Sequence, residues 1–124
     1  MDKKKILLVD DSPGITEAVG AALEATGKYA VQAVNEATQA LPAALAFKPD
    51  LILIDYLMPY EDGGSIARHL RAEEDLRDVR IIFVTDMAQE GEETGLGDLV
   101  GTSPAIPKSA GVPGVLRAVE EALK

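Results

Sequence analysis

Five short apolar runs alternate along this chain with longer stretches of helical periodicity, and that alternation constrains the fold more than any other feature. The runs are residues 6–9, 30–34, 51–54, 81–84 and the less apolar 103–107. A short apolar run rich in β-branched residues and bounded by turn signals reads as a strand buried on both faces. Alternation of such strands with helices predicts an α/β fold, a parallel sheet with helices on both faces. Five strands and five helices are expected. A chain of 124 residues has room for one core of ordinary size. The expectation is therefore a single domain over residues 1–124 with no output domain.

The first helix is well specified. Ser12 suits the N-cap, Pro13 the first helical position and Gly27 the stop, while Ile15, Ala18, Val19, Ala22 and Leu23 form one apolar stripe. The last helix carries Val112, Val115, Leu116, Val119 and Leu123 on one face. Both stripes are expected to pack on the sheet. Pro42 interrupts the helical pattern of residues 37–47. Inside a straight helix it would cost about 3 kcal/mol, so a kink or a late start is expected. Gly91, Gly95, Gly97 and Gly101 break up the segment after the fourth strand, which predicts a short fourth helix there.

Two of the apolar runs end in acids. Asp10 and Asp11 follow the first, and Asp55 follows the third. Parallel strands bring all three carboxylates to the carboxyl edge of the sheet, where open α/β sheets bind ligands. Three converging oxygen ligands suit a hard divalent cation such as Mg²⁺, so a metal-dependent phosphate site is expected. Thr85 ends the fourth run and Lys108 follows the fifth, which places a hydroxyl and an ammonium on the same edge. Past Asp55, the segment Leu57-Met58-Pro59-Tyr60-Glu61-Asp62-Gly63-Gly64 reads as a tight loop, with Gly63 or Gly64 expected at positive φ before the next helix.

Composition narrows the function further. The net charge of −9 and a pI near 4.5 repel nucleic-acid backbones and anionic lipid alike, so neither nucleic acid nor membrane is expected as a partner. With no cysteine, disulfide, thiolate-metal and cysteine-nucleophile chemistry are excluded. Lys3-Lys4-Lys5 is followed by only four apolar residues before the acids, too few for a signal peptide. A cytoplasmic protein is the expectation.

Asp10-Asp11, Asp55 with Met58-Pro59 and Gly63, Thr85 at a strand end and Lys108 near the chain end together resemble the receiver domain of two-component response regulators. The resemblance covers essentially the whole chain. It implies a flavodoxin-like, doubly wound five-stranded sheet of order 2-1-3-4-5, in the manner of single-domain chemotaxis regulators. It also implies a phosphorylation-dependent switch that is not an enzyme beyond its own phosphorylation and dephosphorylation. Asp55 would be the phosphoacceptor, supplied by a histidine kinase, a phosphotransfer protein or a small phosphodonor. Asp10, Asp11, Asp55 and the Leu57 backbone carbonyl would hold Mg²⁺. Lys108 would neutralise a phosphoryl oxygen, and Thr85 would bind another and act as the sensor. A downstream protein would read the face formed by the fourth helical segment, the fifth strand and the last helix.

Departures from the family pattern bear on the relay rather than on the chemistry. Where the family carries an aromatic three residues before the lysine, this chain has Ala105. Ser109 stands where proline usually follows the lysine, and Asp86 where a small residue usually follows the threonine. Leu57 and Met87 occupy the positions that tune water access to the aspartyl phosphate, and their apolar bulk implies a long-lived phosphoryl group.

The blander readings are weaker jointly than singly. Asp10-Asp11 alone could cap a strand, Thr85 could end one and Lys108 could be a solvated charge. His69 reads as a surface helix residue, Tyr56 and Tyr60 as packing and loop cover, and Glu73-Glu74-Asp75 as a solvated helix end. The competing function is a receiver-like interaction module that works without phosphorylation, motivated by Ala105, Ser109 and Asp86. An aspartate-nucleophile phosphatase fits less well, because it usually needs an Asp-x-Asp motif after the first strand.

Overall fold

The structure, a computed structural model, describes residues 3–56, 62–85, 105–107 and 110–123, with Thr85 described by its backbone alone. Strands β1 (Lys4–Val9), β2 (Tyr29–Val34), β3 (Leu51–Asp55), β4 (Arg80–Thr85) and β5 (Ala105–Pro107) coincide with the five apolar runs. They form one sheet of order β2-β1-β3-β4-β5, parallel throughout. The flavodoxin-like topology is therefore present. Every residue of the central strand β3 is buried, as a run with no polar alternation requires.

Helices α1 (Pro13–Ala25), α2 (Ala40–Phe47), α3 (Gly63–Arg71) and α4 (Gly111–Ala122) cover the two faces. Alternate sheet residues feed two separate cores. Leu7, Val9, Ile52, Ile54, Ile81 and Phe83 face α2 and α3, where Ala40, Ala44, Ile66 and Leu70 meet them. Ile6, Leu8, Leu51, Leu53 and Ile82 face α1 and α4, meeting Val19, Leu23, Val115 and Val119. The fourth helix expected around Gly91, Gly95, Gly97 and Gly101 lies outside the described residues.

Local chemistry sets the helix ends. The Ser12 hydroxyl accepts the Ile15 N–H at 3.4 Å, Pro13 is the first helical residue, and Gly27 at φ 78° follows the end of α1. Pro42 produces a late start rather than a kink. A 3₁₀ turn (Ala37–Gln39) precedes α2, which leaves Pro42 in the first turn, where its missing N–H deprives no carbonyl of a partner. Lys48 ends α2 in the left-handed region at φ 54°, which the sequence did not signal. At the far end of α3, the half-buried Arg71 donates from Nη1 to the carbonyls of Leu76, Arg77 and Val79, fixing the turn that leads into β4. Burial pushes that guanidinium's pKa down, against the raising effect of the nearby Asp78 charge. Among the described residues, no helix is long and apolar enough to cross a membrane.

One packing expectation is corrected. Val19 and Leu23 of the α1 stripe are buried, but Ala18 is exposed and Ile15 is 39% exposed.

Candidate functional site

Sheet register assembles the site. Val9 pairs with Val34 on one side and Ile54 on the other, so the next residues along, Asp10 and Asp55, come level on adjacent strands. The ladder continues past the strand ends on both: the Asp10 N–H donates to the Val34 carbonyl at 3.1 Å, and the Tyr56 N–H to the Val84 carbonyl at 3.0 Å. Asp10 and Asp55 are 6% and 2% exposed, whereas Asp11 is exposed. One carboxylate oxygen from each of the three lies within 4.8 Å of the other two.

Burying acids this close is electrostatically unfavourable. Two unit charges about 4 Å apart repel by about 4 kcal/mol at an effective dielectric of about 20. Part of the compensation is local. Asp10 Oδ1 accepts the Ser12 N–H at 2.9 Å, closing a tight turn that orients the carboxylate before α1 begins. Three hard oxygen donors converging from two strand ends also fit a small divalent ion.

Asn35, which the sequence reading passed over, holds the acid loop from the side. Its Nδ2 donates to the Asp10 carbonyl at 2.9 Å and to Thr16 Oγ1 at 3.1 Å, and the Thr16 hydroxyl in turn donates to the Pro13 carbonyl at 3.1 Å. Its position directly after β2, on the same sheet edge as the acids, was the available signal.

Gly63 has a different role from the one expected. Neither Gly63 nor Gly64 has positive φ; both open α3. The requirement is close approach instead. A Cβ on Gly63 would lie 2.9 Å from Tyr56 Cα and 3.0 Å from the Asp55 carbonyl oxygen. The Gly63 N–H donates to the Tyr56 carbonyl at 2.7 Å, and the Asp62 side chain caps α3 by accepting the Ser65 N–H at 2.7 Å. Thus α3 starts in contact with the backbone that carries Asp55.

The other expected site residues divide. Thr85 pairs in register with Pro107, which puts Thr85 and the chain leading to Lys108 on the acids' edge of the sheet. Ala105 pairs with Phe83 and packs against the core on the α2 and α3 side. The nearby aromatic is Tyr56, whose ring meets Phe83 edge-on at 5.7 Å and 73°. Leu57, Asp86, Met87, Lys108 and Ser109 lie outside the described residues, as does Tyr60. His69 is exposed on α3.

The sequence pattern of the response regulator receiver domain matches residues 6–112. The chain belongs to that family. Among relatives of this receiver domain, the phosphate regulon transcriptional regulatory protein PhoB of Pseudomonas aeruginosa is 37% identical over 110 residues, which cover 85% of this chain and 47% of PhoB. The chain spans about half the length of the curated relatives it matches. The chemotaxis protein CheY4 of Vibrio cholerae superposes with a TM-score of 0.84 at 25% identity, covering 97% of this chain and 98% of CheY4. The receiver domain of a sensor histidine kinase from Pseudomonas aeruginosa is 31% identical with a TM-score of 0.77, and 97% of each chain is covered. That protein holds a magnesium ion in its active-site cleft.

Proposed function

We propose that this receiver domain is a phosphorylation-dependent switch in which Asp55 takes a phosphoryl group from a histidine kinase, a phosphotransfer protein or a small phosphodonor. The observation that carries this reading is the convergence of the Asp10, Asp11 and Asp55 carboxylates, within 4.8 Å of one another, at the carboxyl edge of a receiver fold. An Asp55 carboxylate oxygen attacks phosphorus, and the bond from phosphorus to the donor's nitrogen or oxygen breaks, its electron pair leaving with the donor. Such a transfer asks little covalent chemistry of the protein beyond positioning and charge neutralisation.

Asp10, Asp11 and Asp55, with the Leu57 carbonyl, would hold Mg²⁺. When bound, the ion neutralises charge on the phosphoryl oxygens and among the acids. Ser12 and Asn35 keep the Asp10 loop in place, and Gly63 lets α3 support the Asp55 backbone. Lys108 would meet a second phosphoryl oxygen and Thr85 a third. Movement of Thr85 toward the phosphate then carries the signal to a downstream protein on the face that includes β5 and the last helix. With Ala105 in place of an aromatic, the relay runs through backbone movement rather than a ring rotamer. The Tyr56 N–H bond to Val84 ties the residue after Asp55 to the strand that ends in Thr85, and so supports that route. Catalysis is confined to the domain's own phosphorylation and dephosphorylation, and the apolar bulk of Leu57 and Met87 favours a phosphoryl group that outlasts seconds.

The test is to incubate the protein with Mg²⁺ and acetyl phosphate and weigh it intact. A gain of one phosphoryl group that Asp55→Asn abolishes is expected. No gain with any donor would instead favour an interaction module working without phosphorylation. Steady release of phosphate from unrelated esters would favour a phosphatase.

A further inference from the structure

A half-open cavity of about 230 Å³ lies where α1 and α4 meet the carboxyl ends of β1, β3 and β4. Ile15 and Val19 of α1 and Val112 and Val115 of α4 line it from the helices, and Leu53 and Val84 from the sheet. The lining is almost wholly apolar. Among the described residues, Ile15 is the one large apolar side chain left exposed, at 39%. The polar residues of the lining are already engaged. Asp10 Oδ1 accepts the Ser12 N–H, the Thr16 hydroxyl donates to the Pro13 carbonyl and accepts from Asn35, and Asp55 likewise has a partner. Among the described residues, no buried side-chain nitrogen or oxygen lacks a hydrogen-bond partner. A charged or strongly polar ligand would therefore give up its hydration in the cavity and find no free group in exchange. An uncharged apolar ligand leaves water favourably and gains dispersion contacts with the aliphatic lining. Volume sets the size. Aliphatic cavities of about 150 Å³ hold benzene, whereas drug-sized ligands take roughly 300–1,000 Å³, and this cavity falls between the two.

We propose that this cavity is a binding site for small uncharged apolar molecules of the size of an alkylbenzene. The ligand displaces water from Ile15 and packs against Val112 and Val115, with no polar contact required. The inference rests on the cavity and its lining rather than on Asp55 being phosphorylated, and its test involves neither metal nor phosphodonor.

The probe is toluene, titrated into the full chain and followed by amide chemical shifts, with benzylammonium and benzoate as charged compounds carrying the same ring. Toluene is expected to shift the amides of Ile15, Val19, Val112 and Val115 saturably. Each charged compound is expected to bind at least about ten-fold more weakly. Val112→Phe puts a ring at a half-buried position of the lining and should weaken toluene binding by at least about ten-fold. Ile15→Phe repeats the test at an exposed position, where added bulk does not strain the core, and should have the same effect. Benzylammonium or benzoate binding as tightly as toluene, toluene shifts that do not saturate or that lie away from the cavity, or native-like affinity in either folded variant would each overturn the proposal.

Discussion

At Gly63 a single added carbon would meet the backbone of Tyr56 at 2.9 Å, a distance that real Cβ contacts do not show. Neither partner is a flexible side chain, so α3 itself would have to shift. Gly63→Ala is expected to destabilise the protein by about 1–3 kcal/mol in urea unfolding, as overpacking does elsewhere. Asn35→Ala removes both donors that fix the Asp10 carbonyl and Thr16. A loss of about 1–2 kcal/mol is expected, together with weaker Mg²⁺ binding measured by calorimetry. A loss of stability without a change in Mg²⁺ affinity would mean that Asn35 holds only the fold. The acids themselves were legible because each ends an apolar run. Asn35 was not, because one asparagine after a strand looks like ordinary turn chemistry until the hydrogen bonds are seen.

Elements tell a similar story of correct types and displaced reasons. All five strands were visible as apolar runs, and the structure extends the first four of them by one or two residues. Pro42 resolved into a late helix start, since the 3₁₀ turn before α2 leaves no carbonyl waiting for its N–H. Pro42→Ala is therefore expected to change stability by less than about 0.5 kcal/mol, against about 3 kcal/mol for a proline in a helix interior. At the other end of the same helix, Lys48 holds φ 54°. Lys48→Gly is expected to stabilise by about 0.5–1 kcal/mol, read as a higher urea midpoint at unchanged slope. Pro49 marked the end of the helix, but nothing marked the left-handed conformation of Lys48, because glycine, the usual residue there, is absent. Ile15 and Ala18 are exposed although their periodicity places them on the apolar stripe of α1. A helical stripe reports which face is apolar, not whether the neighbour covers it along its whole length.

For the whole molecule, the sheet register brings acids 45 residues apart in sequence onto one edge. The cost of that juxtaposition makes a prediction about stability. Without metal, Asp11→Asn removes one repelling charge and is expected to raise stability by about 0.5–1 kcal/mol. In the native protein, Mg²⁺ at about 100 times its dissociation constant should add about 2.7 kcal/mol. In the Asp11→Asn variant that gain should shrink, which thermal unfolding with and without Mg²⁺ measures directly. An Asp11→Asn protein less stable than the native one in the absence of metal would count against electrostatic strain at the site.

Division of labour among the three acids is the central claim, and trapping the modified residue tests it most directly. After incubation with Mg²⁺ and acetyl phosphate, borohydride reduces an aspartyl phosphate to homoserine, whose position peptide mass spectrometry then reads. Homoserine at position 55, with Asp10 and Asp11 unmodified, is the predicted result. Homoserine at position 10 or 11, or none at all in a protein that binds Mg²⁺, would contradict it.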